Sequence, residues 1–324
     1  MAGLGVNVSG DAVVLRRLFE NEDALQHGHK PPHRILLIGT GGGMCCTRAA
    51  GYLTAFREFG IENAVDHAVT VSGSGGAMGA YLSGMPHRAS QMFEQLGASG
   101  FIETAKFKTP KLKLQYLADI LRGQHSPLAF NDELIRAHRT TWHAVVTRLS
   151  GESLLVDTKD FQPDAAEAVL ASSALPQVAE PILAKIGDAG EELLVDGACG
   201  MPLPVSAGVM KFRPSTVLVL ESRPTPNSLP RMERLLWPTM THFCLRHSPK
   251  ILRQQTASMA QMIKLEGDRL ERLKRIKWCR VSPDNSNVNL SPFTIDPFVL
   301  RRAAEEARAY MHDILAEAQP VRQV

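Results

Sequence analysis

The 324-residue sequence predicts an α/β fold with a parallel sheet. Two apolar runs, Arg34–Ile38 and Ala68–Val71, read as short buried strands. Each breaks at once into a glycine-rich loop, 39–43 and 72–76. Each loop then opens a helix, so strand, glycine loop and helix alternate twice within ninety residues. Composition agrees with a globular domain: 44% hydrophobic and 21% charged residues exclude wholesale disorder. The 36 basic and 33 acidic residues are too balanced for a protein built on phosphate contacts. Aromatics at 6% are too sparse for a base-stacking platform.

The elements follow in order. Asp11–Gln26 reads as an amphipathic helix with Val14, Leu15, Leu18 and Phe19 on one face. His27–His33, with Pro31 and Pro32, reads as a linker, so residues 1–33 are expected to form an N-terminal arm and 34–324 one domain. Thr47–Phe59 is a helix, with Ala49, Tyr52, Leu53 and Phe56 at helical spacing and Gly60 as its stop. Residues 88–140 are mostly helical, and Lys106, Lys108, Lys111 and Lys113 read as a solvated face. Ala144–Leu149 and Ser153–Val156 are two strands joined by Ser150-Gly151-Glu152. Ala165–Ala171 is a helix, and Leu193–Val195 and Thr216–Leu220 are strands. A long helical stretch, 229–275, is broken by Pro238 and Pro249. Ile276–Val281 is a last strand and Phe298–Ala318 a closing amphipathic helix.

Gly39-x-Gly41 after a strand invites a dinucleotide-binding reading, but Met44 occupies the third glycine position, and Glu58 and Glu62 do not sit at a strand end. Two uses of the loop remain. It is a plain tight turn, or Gly41, Gly42 and Gly43 aim backbone amides at developing negative charge, as an oxyanion hole does.

The second loop, Ser72-Gly73-Ser74-Gly75-Gly76, has the strand-to-helix context of a nucleophile elbow. In the G-x-S-x-G register Ser74 is the nucleophile, with Gly76 downstream and Ser72 in the upstream glycine position. A serine needs a base. Asp196, at the end of the apolar Leu193–Val195 run and followed by Gly197, stands where open α/β sheets build their sites.

Taken together, Gly41-Gly42-Gly43, Gly51, Ser72-x-Ser74-x-Gly76 and Asp196-Gly197 resemble the patatin-like phospholipases. Ala171–Pro176, Pro202 and Pro204-Val205 extend the resemblance, which covers about Ile35 to Leu220. It implies a three-layer α/β/α fold with a central, mostly parallel sheet. It also implies a Ser74–Asp196 dyad without histidine, oxyanion donors at Gly41, Gly42 and Gly43, and neither metal nor cofactor. The implied activity is lipid acyl hydrolysis, of phospholipase A or lysophospholipase type. Two positions depart from the family: Cys45 and Cys46 replace Arg-Gly after the glycines, and Ser72 replaces the elbow's first glycine.

Two other readings stay open. One is a Ser–Asp–His hydrolase using His242 or His247. The other is a lipid-binding protein with a weakened site. The expected partner is a phospholipid or other acyl-ester lipid, with no nucleic acid. Residues 235–245, apolar and ringed by Arg231, Arg234, Arg246, Lys250 and Arg253, read equally as an interfacial segment or a core helix. Five cysteines without a C-x-x-C pair and no signal-peptide pattern lead us to expect a cytoplasmic chain that touches membranes only peripherally.

Overall fold

A computed structural model describes residues 6–103, 110–123, 127–176, 178–188, 190–224, 248–283 and 290–320. The strands are β1 (Val6–Gly10), β2 (Ile35–Gly39), β3 (His67–Val71), β4 (Ile102–Glu103), β5 (Lys111–Leu112), β6 (Thr141–Arg148), β7 (Ser153–Asp157), β8 (Phe161–Gln162), β9 (Ile182–Ile186), β10 (Glu191–Asp196), β11 (Thr216–Leu220) and β12 (Lys277–Pro283). The α-helices are α1 (Val13–Gln26), α2 (Thr47–Glu58), α3 (Ser74–Leu82), α4 (Pro86–Ala98), α5 (Leu114–Arg122), α6 (Asp132–Ala137), α7 (Ala165–Ser173), α8 (Val205–Phe212), α9 (Lys250–Ala257), α10 (Met259–Glu271) and α11 (Pro297–Ala318).

The main sheet is mixed, in the order β1-β12-β11-β2-β3-β6-β10-β9-β8, with β7 also on β6. Its centre, β12-β11-β2-β3-β6, is parallel. The central strands are buried on both faces, which is why they read as unbroken apolar runs. In β2, Ile35 and Leu37 enter the core beneath α1, α2, α3, α4 and α11, while Leu36 and Ile38 enter the core beneath α8 and α10. The sheet therefore lies between two helical layers, the α/β architecture that the alternation predicted. The helices on the first face cross closely. A Cβ on Gly51 of α2 would lie 2.2 Å from the Ala304 carbonyl oxygen of α11, so only glycine fits there.

Most strands and helices fall within a few residues of their expected places. The N-terminal arm is docked: β1 pairs with β12 at the sheet edge, and Val14, Leu15 and Leu18 of α1 are buried in the main core. The strands β1, β4, β5, β8 and β9 and the helix α8 went unread, and a short edge strand such as Val-Asn-Val-Ser-Gly has little apolar signal. The interfacial segment 235–245, His242 and His247 lie outside the described residues. Among the described residues no helix is long and apolar enough to cross a membrane.

One feature of register positions the site. β6 pairs with β7 over residues 143–147. On its other edge it pairs first with β3, ending at Val71 opposite Val145, and then with β10, ending at Asp196 opposite Val146. β3 runs parallel to β6 and β10 antiparallel, so the carboxyl ends of the two strands meet head-on along one edge.

Candidate active site

Ser72 directly follows β3 and has φ +57°, a left-handed conformation rare for serine. The strained turn lifts its hydroxyl off the sheet, where it donates to Asp196 Oδ2 at 2.7 Å. Asp196 Oδ1 accepts from the Ala198 amide at 2.8 Å. The carboxyl is 2% exposed. Burial raises its pKa to about 7, against the opposing pull of the Ser72 hydroxyl and the Ala198 amide. A carboxylate poised near neutrality and bonded to a strained serine can accept that serine's proton.

Ser74, the serine selected by the glycine register, does not face Asp196. It is the first residue of α3, and its Oγ lies 2.9 Å from the Gly39 carbonyl oxygen and 2.8 Å from that of Val71. It also accepts from the Val71 amide at 3.1 Å. Those contacts pin the ends of β2 and β3 to the helix start and leave Ser74 2% exposed. The expected Ser74–Asp196 pairing is therefore corrected to Ser72–Asp196. Thr70 takes the upstream flank and Ser74 the downstream one, and Thr70 Oγ1 accepts from Trp142 Nε1 at 2.8 Å. Gly76 lies in α3 on the wall of the adjoining cavity.

The first glycine loop closes over this elbow. A Cβ on Gly41 would sit 3.1 Å from Ser72 Cβ. Gly43 has φ +56° and lines the same cavity as Ser72. Among the described residues, the amides of Gly41, Gly42, Gly43 and Gly73 donate to no backbone carbonyl. The loop is held from β11, where the Ser222 amide and hydroxyl bond Thr40. Arg223 packs its Cγ against Gly42. Arg48 is buried in α2 and donates to the Ser222 carbonyl at 3.1 Å. Cys45 and Cys46 are buried, and burial raises both thiol pKa values, so they are packing residues.

The end of α7 braces the dyad. Ser172 Oγ accepts from the Ser72 amide at 2.8 Å and donates to the Val145 carbonyl at 2.7 Å. The Ala174 carbonyl accepts from the Asp196 amide at 3.0 Å. The sequence suggested this segment only through Ala171–Pro176. Its signal was small residues and hydroxyls at a helix end. Ser172→Ala is expected to orphan the Ser72 amide and the Val145 carbonyl and to cost about 1–3 kcal/mol of stability, which thermal melting checks.

Ser72 and Asp196 line a small cavity of about 80 Å³. Its walls are apolar: Met92, Phe93 and Leu96 of α4, Leu117 of α5, Val169 of α7, and Phe101, Leu112 and Phe293 from the loops and ribbon around them. Residues 88–140, read from sequence only as helical and basic, thus supply much of the chamber. Among the described residues no histidine bonds Ser72 or Asp196.

No protein-family model and no curated protein matches the sequence. Among solved structures the chain is similar to VipD from Legionella pneumophila, with a TM-score of 0.40 and 14% identity over 89% of this chain and 67% of that one. It is also similar to human GIVD cytosolic phospholipase A2 in complex with methyl gamma-linolenyl fluorophosphonate and terbium chloride. There the TM-score is 0.43, with 15% identity over 98% of this chain and 66% of that one. A further structure of the human enzyme gives a TM-score of 0.37 and 11% identity, over 97% and 68%. The chain thus spans about two thirds of the length of each.

Proposed function

We propose that the chain is a serine acyl hydrolase of lipids that works through a Ser72–Asp196 dyad. The observation that carries this reading is the Ser72 hydroxyl, on a strained elbow, 2.7 Å from a buried carboxylate and opening into an apolar chamber. The motif resemblance to patatin-like phospholipases supports the same chemistry. With Ser72 as nucleophile, the serine that seemed to replace a glycine becomes the reacting residue, and Thr70 and Ser74 become the departures.

In this reading Ser72 Oγ attacks the ester carbonyl carbon and its proton passes to Asp196 Oδ2. The amides of Gly41, Gly42, Gly43 and Gly73 hold the oxyanion, aided by the N-terminus of α3. Asp196 returns the proton to the leaving alcohol, and the acyl group stays on Ser72 until water removes it. The chamber takes the acyl chain. The substrate class is a glycerophospholipid or related acyl ester, reached by transient contact with a lipid surface.

The test is fatty-acid release from phospholipid vesicles together with fluorophosphonate labelling read by peptide mass. Label on Ser72 and serine-dependent release are expected. Label on Ser74, or none, would overturn the dyad. Chain-length preference checks the chamber: Leu96→Trp should lower turnover of p-nitrophenyl palmitate about tenfold and spare the butyrate. Equal losses on both esters would remove the chamber from acyl binding.

A further inference from the structure

α7 ends by addressing the dyad with three consecutive residues. Ser172 holds the Ser72 amide and Ala174 holds the Asp196 amide. Ser173, between them, lines the chamber beside both reacting groups. Its side chain is only 8% exposed, and its Oγ has no hydrogen-bond partner. An unsatisfied buried hydroxyl is costly, and alanine would suit this helix end better, as it does at Ala171 and Ala174. Among the described residues that line the chamber, those with polar side chains are Ser72, Ser173 and Asp196.

Resting on the acyl-enzyme reading above, we propose that Ser173 positions the water that frees the acyl group. Once Ser72 is acylated, its oxygen has no hydrogen to donate. A water in an apolar chamber needs at least two polar partners, and Asp196 and Ser173 are the side chains left. The water oxygen attacks the acyl carbonyl carbon. One of its protons goes to Asp196, and its other O–H donates to Ser173 Oγ, which turns a lone pair toward the carbon. The bond to Ser72 Oγ then breaks as Asp196 returns the proton to that oxygen. The products are a carboxylic acid and free serine.

The experiment compares wild type with Ser173→Ala on p-nitrophenyl butyrate by rapid mixing, intact mass and thermal melting. The expected variant keeps the wild-type burst rate, turns over about tenfold more slowly, and accumulates an acyl mass on Ser72. Its melting temperature stays level or rises, since no bond within the protein is lost. Wild-type turnover and acyl occupancy would overturn the assignment. A slowed burst with unchanged deacylation would also overturn it, moving the hydroxyl to ester binding. Fluorophosphonate separates the two levels. Labelling of Ser72 in both proteins with unchanged acyl occupancy removes this inference alone, while no labelling of wild type removes the dyad and this inference with it.

Discussion

On the proposed reading, Ser72→Ala is expected to lower ester turnover by at least about 10³-fold and leave the fold intact, whereas Ser74→Ala is expected to keep the Ser72–Asp196 pair and lose stability. The asymmetry follows from what each hydroxyl touches. Ser72 makes one side-chain contact, with Asp196, and spends backbone strain to make it. Ser74 makes backbone contacts to Gly39 and Val71 only. Its loss frees two buried carbonyls and an amide, which costs about 1–3 kcal/mol. Thermal melts and turnover, measured on both variants, separate the roles cleanly. Full activity in Ser72→Ala would return the nucleophile to Ser74 or dispense with it.

Asp196→Asn is expected to stop turnover by a similar factor while stabilising the protein at alkaline pH. The folded carboxyl holds its proton up to about pH 7, and the unfolded one only to its ordinary 3.8. Between those values the native state binds the extra proton, so stability falls as pH rises from 3.8 to about 7 and then levels. The ionised, buried group costs a few kcal/mol above pH 7. Asparagine removes that cost. Its oxygen can accept from Ala198, and its amide can donate to Ser72. The melting temperature should therefore rise at pH 8 and barely move at pH 4. In the wild type, kcat/KM should fall about tenfold per unit below pH 7 as the base is protonated. A pH-independent rate would remove Asp196 as the base.

Much of this was legible in the residues. The apolar runs of β2, β3 and β11 are buried on both faces, and such strands announce themselves. Asp196 was found because a strand end followed by Gly197 is a specific local pattern. The serine that bonds Asp196 is not the one the glycine spacing selects, because distance from the strand end decides which hydroxyl reaches that carboxylate. Val71 ends β3, so the sharp turn falls on the next residue, and two residues later the chain is already in the first turn of α3. Strand-end position alone would have chosen Ser72. The chamber could not be read, since Met92, Leu117, Val169 and Phe293 come from distant segments and look like ordinary core residues. Ser172 and Ser173 carry no local signal beyond being hydroxyls at a helix end.

The head-on meeting of β3 and β10 along β6 has a consequence for how such a chain can diversify. The spacing of Ser72 and Asp196 is set by one strand, since Val71 and Asp196 pair with its adjacent residues Val145 and Val146. The residues that shape the chamber mostly belong to the excursion between β3 and β6, which leaves the main sheet and returns to it. On the proposed reading, reshaping this largely helical excursion is expected to change which acyl chain is admitted while the spacing of Ser72 and Asp196, set by sheet register, stays as it is.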